Sequence, residues 1–189
     1  GFVMLTLTAY TECAAVSDQM LLTISKQPVV LAGDDAVICE SDSYHLSGNF
    51  SAGTASIEWK SSGTGIFSNS NIPNPIYYPG KEDIEKGEVQ IIGIAKASGS
   101  CADAYDTLSI IIQRIPHIYA GNDAVICEQE NYMLADANIE YTNRIKWTTS
   151  GTGTFDFDTL VNATYLPSEA DIINGKVVLT LSSVVTGKC

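Results

Sequence analysis

The sequence predicts an all-β chain built as a tandem array of sandwich repeats, and three observations carry that prediction. The first is self-similarity. Ala32-Gly33-Asp34-Asp35-Ala36-Val37-Ile38-Cys39-Glu40 returns, nearly unchanged, as Ala120-Gly121-Asn122-Asp123-Ala124-Val125-Ile126-Cys127-Glu128, 88 residues later. Trp59 and Trp147 keep that offset, each followed by Ser-Gly-Thr-Gly-x-Phe at 62–67 and 150–155, and Cys13, Cys101 and Cys189 are successively 88 apart. A fixed period marks a repeat architecture, and this one is about the size of a small β-sandwich domain. The second observation is a series of short runs rich in β-formers and separated by Gly, Pro, Asn and Ser. The third is the lack of any long stretch with helical periodicity.

The elements follow in order. Residues 3–10 alternate as Val-Met-Leu-Thr-Leu-Thr-Ala-Tyr, a strand with one face buried, and residues 20–25 return to close a hairpin whose tip holds Cys13. Gln27-Pro28 ends it, as Ile115-Pro116 does one period later, because proline has no N–H to give a ladder. Residues 29–32 open the complete repeat, Gly33-Asp34-Asp35 kinks the strand, and residues 36–39 continue it. Residues 44–48 and 57–60 are the next strands, with Trp59 large enough to anchor a core. Ser61-Ser62-Gly63-Thr64-Gly65 reads as a glycine turn before Ile66-Phe67, and a Ser/Asn/Pro loop leads to Tyr77-Tyr78-Pro79. Residues 81–87 are the one helical candidate of this repeat. Their counterpart at 168–175 explains why: Ser168 can cap, Glu169 and Asp171 suit a first turn, and Gly175 supplies a left-handed exit. Residues 89–94 and 107–112 form a second hairpin like the first.

The register assigns 1–28 to the C-terminal hairpin of a preceding repeat, 29–116 to a complete repeat and 117–189 to a following repeat lacking its last strand. Both ends then fall inside a repeat. The chain reads as a window on a longer polypeptide, so a missing signal peptide carries no information. No apolar run approaches the length of a membrane span. Net charge is −12 with a pI near 4.3. That argues against nucleic acid, whose phosphates demand a basic face, and against anionic membrane surfaces. Dispersed acidic residues suit a soluble, self-repelling surface that attracts divalent cations. Five cysteines in register, none in a C-x-x-C pair, read as a disulfide framework and hence an oxidising, extracellular compartment.

Taken together, Ala-Gly-x-Asp-Ala-Val-Ile-Cys-Glu, then Trp-x-x-Ser-Gly-Thr-Gly-x-Phe, then Asn-x-x-Tyr-x-Pro…Asp-Ile-x-x-Gly-x-Val resemble the PKD-like/Ig-like repeats of very large Bacteroidota cell-surface proteins. The resemblance covers essentially the whole chain. It implies Ig/PKD-like β-sandwiches from secreted or surface-anchored proteins associated with type IX secretion and with adhesion or gliding. It implies no ligand, since such units mostly serve as spacers. One departure is local: Gly1 to Cys13 is two residues shorter than Gly87 to Cys101, a trimmed hairpin tip.

Two disulfide patterns are open, with free thiols as the remaining alternative. Intra-repeat pairing would join Cys39 to Cys101 and Cys127 to Cys189, leaving Cys13 paired outside the window. Inter-repeat pairing would join Cys39 to Cys189, with Cys13, Cys101 and Cys127 bonded beyond the window. Strand geometry favours the second. In a sandwich of this order the first and last strands run parallel, so Cys39 and Cys101 sit at opposite ends, about 30 Å apart at about 3.3 Å per residue. A bridge needs Cα atoms within about 7 Å.

Other candidate chemistry is sparse. Asp34, Asp35 and Asp123 could offer oxygen ligands to calcium beside a kinked turn; no EF-hand string accompanies them, and no other cofactor is expected. Ser-Gly-Thr-Gly lacks P-loop spacing. His45 and His117 are the only histidines and are not in register with each other, so a catalytic reading has little to stand on and the segment is expected not to be an enzyme. Thr107 and Thr159 lie in Asp-Thr-Leu, the form of a Bacteroidota O-glycosylation signal. Tyr78, Tyr141 and Phe157 are the candidate aromatics for a glycan-binding module, though no cluster is evident. The sequence reading is therefore a disulfide-braced stalk segment of an adhesin or filament. Its partners would be neighbouring repeats and other copies in a filament, with no membrane insertion in this segment. The rivals are a glycan-binding module and an accessory segment of a secreted enzyme.

Overall fold

Alternating β-formers give strands almost everywhere the pattern predicts them. The computed structural model describes residues 1–184 and 187–189. They divide into two units, residues 1–112 and 113–189. The described chain is all-β apart from two one-turn helices, and both units are built as sandwiches.

The first unit opens with β1 (Phe2–Tyr10) and β2 (Ala15–Thr23), an antiparallel hairpin whose register runs from Phe2↔Thr23 to Tyr10↔Ala15. Here the sequence reading needs correction. Alternation predicted one buried face, yet every residue of both strands is exposed. The pattern is present, but no second layer of this unit covers it.

Next come β3 (Val30–Leu31), β4 (Ala36–Cys39), β5 (Tyr44–His45), β6 (Asn49–Phe50) and β7 (Thr54–Ser61). They are followed by β8 (Ile66–Phe67), β9 (Ile76–Tyr78), α1 (Lys81–Lys86), β10 (Glu88–Ala97) and β11 (Ala104–Gln113). The bend between β3 and β4 falls at Gly33, whose φ of 113° is open to glycine and strained for other residues. One layer is the sheet β4-β11-β10-β7; facing it are β5-β9-β8 and the short pair β3-β6. Inward residues alternate along each strand of the main sheet, so Val89, Ile91, Leu108, Ile110 and Ile112 are all buried. They pack with Ile38, Leu46, Trp59 and Tyr77, and Phe50 meets the Trp59 ring edge-on at 5.8 Å between centroids. Each fully buried aliphatic of this kind contributes about 1.5–3 kcal/mol. Trp59 keeps its polar edge satisfied by donating Nε1–H to the Ile72 carbonyl at 3.0 Å.

The second unit repeats the plan with β12 (His117–Tyr119), β13 (Tyr132–Met133), β14 (Asn138–Glu140), β15 (Ile145–Thr149) and β16 (Thr154–Phe155). Then follow β17 (Thr164–Leu166), α2 (Glu169–Asn174) and β18 (Leu179–Ser183). Its core gathers Leu134, Ile145, Trp147, Ala163 and Leu181. Trp147 donates to the Leu160 carbonyl at 3.0 Å, as Trp59 does to Ile72. The main sheet differs. Among the described residues it has two strands, β15 and β18. Ala124-Val125-Ile126-Cys127, identical to the β4 segment Ala36–Cys39, forms no strand, and Val125 is 99% exposed. In the first unit β4 is held by β11; among the described residues no such strand lies beside 124–127.

Candidate functional site

The most organised polar site in each unit is a buried carboxylate at a helix start. Gly80 leads into α1, and the Asp83 side chain turns back to accept the Gly80 amide at 2.8 Å. The same carboxylate accepts the Thr64 amide at 2.8 Å, the Gly65 amide at 2.9 Å and the Tyr77 hydroxyl at 2.6 Å. Asp83 is 1% exposed, so all four donors serve a group cut off from water. In the second unit Asp171 accepts from the Ser168, Thr152 and Gly153 amides and from the Tyr165 hydroxyl, at 3.0, 3.0, 2.8 and 2.7 Å. Ser168 completes that capping box by accepting the Asp171 amide at 3.2 Å. Gly87 and Gly175 end the two helices in the left-handed region, with φ of 78° and 68°.

Electrostatics follow from these contacts. Burial works against the charged form of Asp83, but the Tyr77 hydroxyl and the Gly80, Thr64 and Gly65 amides outweigh it and hold the pKa below the usual carboxylate value. Asp171 is held lower still, first by the Ser168 amide and then by Tyr165. Tyr77 and Tyr165 are pushed up, by burial first. The arrangement is that of a structural latch: an ionised, saturated carboxylate and a protonated phenol offer no free base or nucleophile.

Serine-glycine-threonine-glycine takes its meaning from this latch. The sequence reading gave its glycines to a tight turn, but none of Gly63, Gly65, Gly151 and Gly153 has a positive φ. A Cβ on Gly63 or Gly151 would collide with Asp83 or Asp171, and one on Gly65 or Gly153 with the Tyr77 or Tyr165 hydroxyl. The requirement is close approach. Sequence reasoning placed Asp171 in a first helical turn and missed its burial. The available signal was that Gly-Thr-Gly and Asp recur together, one period apart, with a tyrosine six residues before each Asp.

The predicted site residues lie elsewhere. Cys39 and Cys189 are disulfide-bonded, whereas Cys13, Cys101 and Cys127 carry free thiols. Within the first unit, the Ala32 amide donates to Asp106 and the Ser109 amide to Asp35, both at 2.8 Å. Those contacts rise together along the chain, so Cys39 lies at the far end of β11 from Cys101. Ten residues of strand span about 30 Å, beyond the reach of a Cys39–Cys101 bridge. The Cys101 sulfur lies 3.7 Å from the Ser25 carbonyl and the Cys189 sulfur 3.5 Å from the Gln113 carbonyl, equivalent neighbours one period apart. Asp34, Asp35 and Asp123 stand on the exposed links after Gly33 and Gly121, and Asp35 is engaged by Ser109. Among the described residues no group of three His, Cys, Asp or Glu converges as a metal site. Thr107 is exposed within β11, and Thr159 is exposed in the turn after β16. Tyr78 belongs to the first unit, Tyr141 and Phe157 to the second; the Arg114 guanidinium lies 4.0 Å over the Tyr141 ring, and His117 meets it edge-on. Among the described residues no helix is long and apolar enough to cross a membrane.

No protein-family model matches the chain, and no curated protein does. Solved structures give loose matches. Protocadherin gamma C5 EC1-3 aligns with 13% identity and a TM-score of 0.43, over 91% of this chain and 68% of its own. Mouse clustered PcdhgC3 EC1-3 gives 12% and 0.42, over 96% and 71%. Bovine butyrophilin gives 10% and 0.34, over 84% and 99%. Scores and identities this low transfer neither ancestry nor function.

Proposed function

We propose that this chain is a structural segment of a long secreted or surface-anchored bacterial protein of the Bacteroidota type. Its tandem sandwich units form the stalk of an adhesin or filament, and a disulfide between Cys39 and Cys189 staples neighbouring repeats. The observation that carries the reading is what the chain duplicates. Each unit repeats its internal scaffold, namely the tryptophan with its carbonyl partner, the Tyr–Asp latch and the one-turn helix. Duplicating a scaffold extends length, whereas surface residues such as His45, Tyr78 and Tyr141 differ between units. The staple is supported by Cys39 and Cys189 being disulfide-bonded while the other three thiols are free. Quasi-one-dimensional arrays of this kind draw stability from each unit and its nearest neighbours.

Immuno-electron microscopy of source cells with an antibody to this segment tests the role. Label strung along thin fibres rooted in the envelope is the expected result. Label confined to released soluble particles would overturn the stalk.

A further inference from the structure

We infer that Tyr141 is a strap that locks the chain entering the second unit, holding Arg114 with its ring at the cost of a strained backbone. The inference is independent of the stalk reading. Among the described residues Tyr141 is the only one other than glycine with a positive φ, 58°. A bulky side chain is an outlier there, and such strain persists only where the surroundings impose it. Gly53, its counterpart one period earlier, takes a φ of 111° without that cost.

What imposes it is a stack of three side chains, all of them in the second unit. β12 and β14 pair His117 with Glu140, which brings the next residue, Tyr141, beside the imidazole. The two rings meet edge-on at 6.0 Å between centroids. The Arg114 guanidinium lies over the Tyr141 ring, 4.0 Å from its centroid, well within the distance at which an aromatic face attracts a cation. The turn that follows is fixed by its own bonds. The Arg144 amide donates to Thr142 Oγ1 at 3.2 Å, and the Thr142 hydroxyl donates to the Arg144 carbonyl at 3.3 Å. The left-handed backbone at 141 turns this side chain back under residue 114.

The first unit meets its incoming chain at the same place with different chemistry. Lys26 is the counterpart of Arg114 and Val29 that of His117. A Cβ on Gly53 would come within 2.8 Å of the Lys26 carbonyl oxygen, so there the turn touches the entering backbone directly and leaves no room for a side chain. The preceding residue is held alike in both units. The Cys101 sulfur lies 3.7 Å from the Ser25 carbonyl, and the Cys189 sulfur 3.5 Å from the Gln113 carbonyl. The Gln113 side chain also accepts the Lys188 amide at 2.9 Å. Residues 53 and 141 thus occupy one strap position, a bare backbone contact in one repeat and a cation–aromatic lock in the next. The lock makes residues 113–116 open and close with the second unit instead of fraying as a free linker.

Trypsin cleavage of the native 189-residue chain after Arg114 reads the lock, with cleavage after the exposed Lys176 as internal reference. Native-state cleavage follows local opening. Tyr141→Gly is expected to raise the rate after Arg114 about fivefold or more, the size of one cation–aromatic contact. It should leave Lys176 unchanged and hold or raise the melting temperature, because the strain at 141 is relieved. Tyr141→Asn, which also tolerates the left-handed region, should behave the same way, so that glycine's own flexibility is not the cause. Tyr141→Phe keeps the ring and should be cut like the wild type. Three results would overturn the proposal: Arg114 cut no faster in Tyr141→Gly or Tyr141→Asn, a rise shared with Lys176 and a lower melting temperature, or a Tyr141→Phe chain as open as Tyr141→Gly.

Discussion

Asp83 and Asp171 show how a carboxylate can be buried and still ionised, since four donors replace the water each has lost. Replacing Asp83 by Asn sets an amide against at least one of those donors. The change should destabilise the first unit by about 2–4 kcal/mol, given about 1–3 kcal/mol for each buried group left unsatisfied; urea unfolding measures it. The pH dependence has a definite sign. Both folded-state values lie below the unfolded value of about 4, so the unfolded chain takes up protons first as the solution is acidified. Stability from these groups is fully present above pH 4 and is lost as pH falls through the folded pKa values. Melting temperature should therefore drop as the pH is lowered from about 4 towards 2 in the wild type, with a shallower slope in Asp83→Asn. The glycines separate two causes of constraint. Gly63→Ala puts a methyl against the carboxylate and should cost about 3 kcal/mol or more, in the range of overpacked cores. Gly175→Ala meets open space and bears the left-handed φ alone, about 1 kcal/mol.

At the scale of elements, much was legible and the failures share one cause. The one-turn helices were readable because their signals are local: an acidic first turn, Ser168 as cap, and Gly87 or Gly175 as exit. Trp59 and Trp147 were readable as core because nothing else in either unit is as large. The strand at 36–39 was readable and its absence at 124–127 was not, because the two segments have the same four residues. What differs is the neighbour, and a strand is defined by its neighbour. The exposed hairpin β1–β2 makes the same point, since alternation specifies a face and says nothing of what covers it. The buried aspartates escaped because two of the four donors to each come from a loop 18 or 19 residues away. Ile38 and Ile126 give a paired test of the first point. Ile38→Asp, at a 5% exposed site, should destabilise its unit by about 3 kcal/mol or more. Ile126→Asp, at 37% exposure, should cost well under half of that in the same melts.

At the scale of the whole molecule, the two units share one internal design, and their surfaces diverge. That division suits the stalk proposed above. The central claim is that successive repeats are joined covalently through Cys39 and Cys189. Digestion without reduction, followed by mass mapping, tests it most directly. The account predicts one crosslinked peptide pair containing Cys39 and Cys189, with Cys101 and Cys127 open to alkylation. A pair joining Cys39 to Cys101, or Cys127 to Cys189, would contradict it.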